Sequence, residues 1–588
     1  MARHHSGLLD DRRLHIATGV SYFQDLATGG LRYCAEGPLP GLNRTQGFCR
    51  PPSFRRYSCM TDQHLPRDVI ARHAFLDRRA FLRQAGLAAL AAGGTGLLAA
   101  CGGGTPGGSD TMAGPGGTTT GTTLPRLPWD PDQPYWMQGG FAPIATETTT
   151  GPVPLPVTGS LPPELTGLYV RNGSNPASGP SPHWFLGDGM VHGVRLEAGR
   201  AAWYRNRFVD TPLHRERRGI LGAAPGGANN QSNVSVFRHG GRLLSSGEVG
   251  LPYELSPTDL STVGPYDYDG RLTTAMTAHP KVDPATGRLH FFGYGFTAPF
   301  LTYHVADADG TLITSQEVAV GRSTMIHDFA VTDRDVVFWE LPVVFDLQAA
   351  MRMVTPGTGP DGRPNDKAFP YAWDPSYGAR LGVMPLGGPT SAIRWVEIPP
   401  CFVFHGANAW REGDDVVLEV CVLPEVFNDG GGGILEPSAL HRWRVGTGGA
   451  TLTFRDEVLT DRPMDLPTID RRHTGRPNAQ AWYVLVDPLD DYQVEFSGLG
   501  RRETATGRMD EWRPGPGYRL NEGCFVPSQA TSAEGEGWLL TYAWDRARDA
   551  SDLVVLDALD LARGPVARVH LPARVPYGFH GTWLADLT

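Results

Sequence analysis

Short apolar runs alternate with polar turns along most of the chain. In the segments GRLHFFGYGF, TDRDVVFWELPV, REGDDVVLEVCVL, GEGWLLTYAW and SDLVVLDALD, a polar turn precedes a run rich in β-branched and aromatic residues. This arrangement is typical of antiparallel hairpins. Long amphipathic helical periods are scarce, so the pattern predicts one turn-rich, all-β body over residues 124–588.

The size and composition of the chain favour a repeated unit arranged around an axis. Its 588 residues exceed the roughly 250–300 at which a single core stops growing. The 74 glycines and 50 prolines make up about a fifth of the chain, against roughly 12% in average proteins. Seven units over residues 124–588 would have about 66 residues each, more than a plain WD40 blade, which leaves room for long loops on one face. A seven-bladed propeller is therefore the predicted architecture.

Charge and cysteine content point away from several classes of function. The net charge is −10 and charged residues make up only 19%, with no basic stripe that would indicate a nucleic-acid partner. Of the seven cysteines, only Cys401, Cys421 and Cys524 lie in the predicted body. Three cysteines without a CxxC spacing do not predict a disulfide framework or a zinc site, and we expect them to be buried apolar residues.

The N-terminal region carries a predicted export signal. Residues 77–83 read DRRAFLR and are followed by the run AGLAALAAGGTGLLAA and by Cys101. Twin arginine before a short, weakly apolar run is typical of a twin-arginine signal, and the run is too short for a transmembrane helix. The sequence before Cys101 also resembles a lipobox, which predicts lipidation of Cys101; the alternative is an ordinary signal with a chance cysteine.

These features divide the chain into four predicted regions. Residues 1–59 form a non-native or disordered extension, with translation beginning at or near Met60, and residues 60–101 form the signal with its lipobox. Residues 102–123 are rich in Gly and Thr and predict a flexible tether. Residues 124–588 form the propeller. The expected location is periplasmic or on the cell surface, with a lipid anchor and peripheral contact with a membrane.

Four histidines are the candidate chemical centre: His279, His327, His405 and His580. They lie in the apolar segments TAHPKVD, STMIHDFAV, FVFHGANAW and YGFHGTWL, separated by 48, 78 and 175 residues. Only a fold that returns the chain repeatedly to one point could join them, and propeller blades do so. Burial of an imidazole without a partner costs about 1–3 kcal/mol, and a shared metal would remove that cost. The alternative is four ordinary histidines among the 18 in the chain.

Several further motifs occur in a defined order from about Pro143 to the C-terminus. They are GLYVRNGSNP, HWFLGDGMVHGVRL, WYRNRFVDT, NNQSNVSVF, HDFAVT and FHGTWL. In these segments the chain resembles the carotenoid cleavage oxygenase family, which also includes stilbene-cleaving dioxygenases and the retinal pigment epithelium isomerase. The resemblance implies a seven-bladed propeller capped by loops and short helices, with Fe(II) on its axis bound by the four histidines.

The resemblance also implies three carboxylates around the histidines. Glu248 would orient His327, Asp465 would orient His405, and Glu522 would orient His580, which leaves His279 without a carboxylate. Neutral imidazoles suit divalent iron, and a carboxylate on the distal N–H fixes the tautomer of the ring. The family usually has Glu where this chain has Asp465. Because Asp is one methylene shorter, we expect its bond to the imidazole to be longer, water-mediated or repositioned.

The implied reaction is oxidative cleavage of a conjugated carbon–carbon double bond of a carotenoid or apocarotenoid, with O2, to two carbonyl products. An apolar polyene predicts an aromatic tunnel, for which Trp184, Phe185 and Phe296 are candidates, although they could equally be core. One alternative is cleavage of stilbene-type lignin fragments. The loop PLHRERRGILG after Thr211 has no Lys to bind a phenol, which favours an apocarotenoid. Another alternative is a non-catalytic propeller that only binds.

Overall fold

The structure is a computed structural model of two compact units, Met1–Ala99 and Ala100–Thr588. It describes residue 130 and residues 133–586, except 178, 180, 217–226, 354–368, 429–437 and 490–492, together with the backbone of five short strands within residues 14–61. The predicted signal, Cys101 and the tether at 102–123 lie outside the described residues and stay predictions.

The described part of the first unit is one antiparallel sheet. Its strands follow the order β1-β2-β3-β5-β4. Their bounds are β1 (Leu14–His15), β2 (Val20–Gln24), β3 (Leu31–Ala35), β4 (Phe48–Cys49) and β5 (Tyr57–Thr61). The predicted status of residues 1–59 as an extension stays a prediction.

The second unit is a seven-bladed propeller of antiparallel sheets, which confirms the predicted fold class. Four strands near its beginning are β6 (Val157–Gly159), β7 (Gly167–Ser174), β8 (Gly189–Glu197) and β9 (Arg200–Phe208). The next two blades contain β10 (Ser235–His239), β11 (Arg242–Ser246), β12 (Tyr253–Leu255) and β13 (Thr262–Pro265), then β14 (Lys281–Val282), β15 (Leu289–Tyr294), β16 (Leu301–Ala306) and β17 (Leu312–Glu317).

The third to fifth blades follow the same plan, with one inserted hairpin. The third contains β18 (Ala330–Val331), β19 (Asp335–Glu340), β22 (Ala379–Pro385) and β23 (Arg394–Ile398), and its inserted hairpin is β20 (Val343–Phe345) with β21 (Tyr371–Trp373). The fourth contains β24 (Phe402–Glu412), β25 (Asp415–Leu423), β26 (Ala439–Gly446) and β27 (Thr453–Thr460). The fifth contains β28 (Met464–Ile469), β29 (Gln480–Leu489), β30 (Gln493–Glu503) and β31 (Met509–Trp512).

The last two blades combine strands from both ends of the unit and close the ring. The sixth contains β32 (Tyr518–Leu520), β33 (Cys524–Pro527), β34 (Gly537–Asp545), β35 (Ala550–Asp557) and β36 (Pro565–His570), and β6 adds to its edge. In the seventh, β37 (Gly581–Ala585) pairs with β7, so that Leu584 lies opposite Leu168. Each sheet therefore lies between two neighbours, and apolar clusters fill the spaces between them.

The chemistry-bearing residues lie where the first strands of the blades begin. Neighbouring first strands pack against one another around the axis, as β18 does with β24 and β33 with β37. His279 precedes β14, His327 precedes β18, His405 lies within β24, and His580 immediately precedes β37. Four different blades thus direct one imidazole each toward the same end of the axis, which no local element of the chain could do.

Helices are few and short in the described part of the chain. The α-helices are α1 (Pro212–Arg215) and α2 (Leu347–Met353), and the short 3-10 turns include Tyr135–Met137, Gly139–Phe141 and Trp184–Leu186. None of the described helices is long and apolar enough to cross a membrane. Cys401, Cys421 and Cys524 are free and buried, as the sequence predicted.

Candidate metal centre

Four imidazoles from four blades converge at the end of the propeller axis. One ring nitrogen of each of His279, His327, His405 and His580 lies within 4.8 Å of the corresponding atom of the other three. His327, His405 and His580 are 6%, 9% and 7% exposed, so water reaches them poorly. The structure therefore brings together the four histidines that the sequence singled out, in a group that could hold a metal ion.

Three of the imidazoles donate a hydrogen bond to a carboxylate through Nδ1. His327 donates to Oε1 of Glu248, and His580 donates to Oε1 of Glu522 over 2.8 Å. Each of these carboxylates has a second donor, which is the Tyr294 hydroxyl for Glu248 and the Gly581 amide for Glu522. An ionised carboxylate can only accept, so Nδ1 carries the proton and Nε2 of the same ring carries a lone pair.

The Asp465 side chain reaches its imidazole directly, so of the three expected outcomes the longer and the water-mediated bond do not occur. His405 Nδ1 donates to Asp465 Oδ1 over 2.7 Å. The backbone accounts for this short contact, because the register of β28 shifts between Asp465 and Thr468, and Leu466 has a positive φ of 50°. The Leu466 amide also donates to the same oxygen over 2.7 Å. An irregular strand therefore brings the shorter side chain within hydrogen-bonding distance.

The Nε2 atoms of three of the rings lie at the spacing expected for ligands of one cation. His279 Nε2 lies 2.9 Å from His327 Nε2, which lies 3.3 Å from His405 Nε2. Since the Nδ1 bonds leave lone pairs on Nε2 of His327 and His405, no proton lies between those two atoms. A metal–imidazole bond is about 2.1 Å long, so nitrogens at right angles around one ion lie about 3.0 Å apart. The observed spacing fits imidazoles that share one metal ion.

Electrostatics favours the neutral imidazole at His279 and His580. Burial and the neighbouring imidazoles hold the pKa of His279 well below its usual value, and burial also lowers the pKa of His580. Burial acts in the same direction on His405, but the charge and hydrogen bond of Asp465 raise its pKa above the usual value. His279 has no carboxylate hydrogen-bond partner among the described residues. A neutral imidazole is the form that binds a metal.

An apolar cavity of about 180 Å³ opens on one side of the imidazole group. His327, His405 and His580 form part of its wall, and aromatic rings form much of the rest: Trp184, Phe185, Tyr294, Phe296, Phe369, Tyr371, Phe404, Phe496 and Phe579. The three candidate tunnel residues named from the sequence all lie in this wall. No Lys or Arg is present among the described residues that line the cavity, and its carboxylates, Glu248 and Asp465, are hydrogen-bonded to imidazoles.

A second, larger cavity of about 520 Å³ reaches the imidazoles from the propeller channel. Its wall contains His279, His405 and His580, together with charged side chains such as Lys281 and Arg471. Lys281 is 2.8 Å from Asp328 Oδ1, and Arg471 donates to the Gly581 carbonyl over 3.1 Å. The imidazole group therefore separates an apolar cavity from a polar one.

The sequence did not identify Tyr294, Gln231 or Asn233 as site residues. Tyr294 lies at the end of β15 and bonds Glu248 from there, so it acts on His327 through that carboxylate. Gln231 and Asn233 line the apolar cavity. All three lie in or near quoted motifs, but nothing in a local pattern separates a cavity-lining residue from a core residue.

Six other histidines in the described part of the chain have ordinary hydrogen-bond partners. His290 bonds the Tyr303 hydroxyl over 2.6 Å, and His304 bonds Thr274 and Ser315, each over 2.8 Å. Nearer the surface, His441 bonds Asp456 and His570 bonds Asp552. His183 Nδ1 accepts the Phe185 amide, and His192 bonds the Tyr204 hydroxyl. None of these six belongs to the group at the axis.

Comparison with known proteins gives consistent matches over the propeller. A family model described as retinal pigment epithelial membrane protein matches residues 141–585. A carotenoid cleavage oxygenase of Mycobacterium tuberculosis is 38% identical over 504 residues, covering 76% of this chain and 97% of the relative. Isoeugenol monooxygenase of Pseudomonas nitroreducens is 32% identical over 465 residues, covering 73% and 94%.

Solved structures share the fold. The lignostilbene dioxygenase of Pseudomonas brassicacearum aligns with a TM-score of 0.69 and 29% identity, over 77% of this chain and 99% of that chain. A cobalt-substituted apocarotenoid oxygenase of Synechocystis aligns with a TM-score of 0.65 and 25% identity, over 77% and 98%. The latter is a protein of the same fold that contains a divalent metal.

Substitution of one imidazole should abolish metal binding. We expect the protein to bind one Co(II) per chain, and His327→Ala to bind it more than about 100-fold more weakly, because the ligand and the partner of Glu248 are both lost. Equilibrium dialysis with elemental analysis measures this. His441→Ala, which removes a histidine of a His–Asp pair outside the group, should bind like the wild type; equal binding by all three proteins would contradict a shared site.

Removal of the Asp465 charge should weaken metal binding while the fold is kept. In Asp465→Asn the acceptor for His405 Nδ1 becomes a neutral amide, so the affinity for Co(II) should fall by about 10- to 100-fold. The matched control is Asp456→Asn, which makes the same change in the pair with His441. If the two variants bind Co(II) equally well, the carboxylate does not tune the site.

Proposed function

The chain belongs to the carotenoid cleavage oxygenase family, and from this premise we propose that it is a non-haem Fe(II) dioxygenase. It cleaves one conjugated carbon–carbon double bond of a carotenoid or apocarotenoid with O2. The double bond and the O–O bond both break, and each carbon leaves with one oxygen as a carbonyl group. The observation that carries this proposal is the four-imidazole group at the end of an aromatic cavity.

The donor set supports iron as the metal. His279, His327, His405 and His580 offer neutral imidazole nitrogens with no carboxylate ligand, and such nitrogens suit divalent iron. Bound Fe(II) would supply the activation of O2. The alkene supplies the electrons, so the reaction needs no nucleotide cofactor. Glu248, Asp465 and Glu522 keep the protons on Nδ1 and direct the lone pairs inward.

The cavity wall accounts for the remaining tasks of the protein. Aromatic rings such as Phe404 and Phe579 lie beside the imidazoles and exclude water from them. Flat apolar walls hold a planar polyene by dispersion and fix which double bond lies next to the metal. A substrate of this kind buries apolar surface along its whole length, which is the main source of its affinity.

Two similar proteins are named isoeugenol monooxygenase and lignostilbene dioxygenase, so stilbene cleavage is the second candidate activity. The cavity wall includes Tyr294 and Tyr371, but the Tyr294 hydroxyl donates to Glu248 and the Tyr371 hydroxyl oxygen is fully buried. The absence of Lys and Arg from the described lining removes the cation that would favour a phenolate. These features favour the polyene.

We further propose that the enzyme is exported by the twin-arginine route and anchored through a lipid on Cys101. That route carries folded proteins, so iron could be inserted in the cytoplasm before exposure to copper or zinc, which bind such sites more tightly. A tether over residues 102–123 would hold the propeller beside the membrane, where carotenoids dissolve. Support for both proposals comes from the sequence motifs at residues 77–101.

A panel of substrates tests the activity. Iron-loaded protein is incubated under ¹⁸O2 with carotenes, apocarotenals and hydroxystilbenes, and the products are identified by mass spectrometry. We expect one polyene to give two carbonyl products, each with one labelled oxygen, and His327→Ala to give none. Cleavage of hydroxystilbenes alone would favour the second candidate, and turnover of no compound would contradict both.

Fractionation of a bacterial host with a twin-arginine system tests the location. The full chain should be recovered with the membrane fraction and carry a lipid, and Cys101→Ser should move it to a soluble exported fraction. Replacement of Arg78 and Arg79 by Lys should retain it in the cytoplasm. Recovery of the same amount of lipidated protein from all three strains would contradict the proposal.

A further inference from the structure

Gln231 is an unpartnered polar side chain in the apolar cavity wall. The residue is 4% exposed and lines the cavity beside Asn233 and Val234. Its side-chain amide has no hydrogen-bond partner among the described residues. The amide is also absent from the side-chain polar atoms that are both unpartnered and fully shielded from solvent, so part of it is accessible. The small exposed part of Gln231 therefore includes the amide and is open to the cavity.

The segment that carries Gln231 is held rigidly. Asn172 Nδ2 donates to the Ser232 carbonyl over 2.9 Å, and Asn233 Nδ2 donates to the Gly187 carbonyl over 2.8 Å. The Gln231 carbonyl accepts the Gly189 amide over 3.0 Å. Because the backbone on both sides is fixed, no backbone entropy at Gln231 is lost when a ligand binds its side chain.

The same segment is joined to the metal centre. The Val234 carbonyl accepts the backbone amide of His580 over 3.0 Å. Gln231 and His580 are therefore parts of one connected wall, and both line the same cavity. A molecule bound in this cavity beside the imidazoles therefore lies in the same cavity that Gln231 lines.

The chemistry of the wall selects the group that Gln231 would bind. An amide both donates and accepts, so it suits a hydroxyl or a carbonyl oxygen. A charged end group would find no counterion, because the described lining has no Lys or Arg and its carboxylates already hold imidazoles. Burial of the amide beside a hydrocarbon would leave it without a partner, which is unfavourable.

We propose that Gln231 binds a neutral hydroxyl or carbonyl oxygen of the substrate and makes the enzyme selective for oxygenated substrates over hydrocarbons of the same length. The inference rests on the proposed function, since it assumes that the cavity holds the substrate. It goes further by naming a specificity-determining residue and the functional group that it recognises. A polyene with a ring hydroxyl and a phenolic stilbene share this chemistry.

Two matched pairs of compounds test the proposal and distinguish these sources. The pairs are β-carotene, a hydrocarbon, with its 3-hydroxy form β-cryptoxanthin, and stilbene with 4-hydroxystilbene. Dissociation constants are measured on iron-loaded protein without O2, by quenching of tryptophan fluorescence, and kcat/KM is measured with O2. The variants are Gln231→Met, which keeps the length of the side chain without its hydrogen bonds, and Phe296→Leu, which changes an apolar part of the same wall.

The wild type should prefer the hydroxylated member of one pair by about 10- to 100-fold in both measurements. Gln231→Met should reduce that preference to less than about 3-fold and keep its iron, whereas Phe296→Leu should affect both members equally. The pair that shows the preference identifies whether the hydroxyl that Gln231 binds belongs to a polyene or to a stilbene. A wild type without any preference, or a preference that persists in Gln231→Met, would overturn the proposal. Because binding is measured without turnover, a failure of the proposed cleavage reaction would be seen separately.

Discussion

The hydrogen bonds from Nδ1 of three imidazoles to Glu248, Asp465 and Glu522 are the interactions on which the centre depends. They place a proton on one nitrogen of each ring and leave a lone pair on the other. With those lone pairs a few ångströms apart, the protein alone is electrostatically unfavourable at this point, and a cation removes the repulsion. The closed ring of blades is what keeps the rings together, because His580 lies next to the strand that completes the last blade.

The metal centre also separates two environments. On one side lies an aromatic cavity with no Lys or Arg among its described lining residues. On the other side lies a larger cavity whose wall contains charged side chains. His405 and His580 line both, so the centre is reached from an apolar side suited to a polyene and from a polar side. Within the apolar side, Gln231 is an exception, and an unpaired amide in such a place is better explained by a ligand than by stability.

The residues of the site could be predicted from the sequence, but not all of the hydrogen bonds that orient the imidazoles. The apolar flanks of the four histidines and the order of the motifs led to the correct residues of the group. Of the outcomes expected for a shorter acid at Asp465, the longer and the water-mediated bond do not occur, and a direct bond is accompanied by a register shift and by the conformation of Leu466. Tyr294 was not identified, since a tyrosine at the end of a strand has no local feature that reveals a contact with Glu248 in another blade.

The sequence by itself determined what depends on neighbours along the chain. These are the short strands and polar turns, the imidazole and carboxylate groups available, and the family motifs. Only the tertiary structure decided which histidines meet, which carboxylate bonds three of them, and that Gln231 has no side-chain partner among the residues that the structure describes. The physical reason is that these properties are set by distances between blades separated by tens to hundreds of residues. Such distances follow from the closure and packing of the whole ring rather than from any local preference of the backbone.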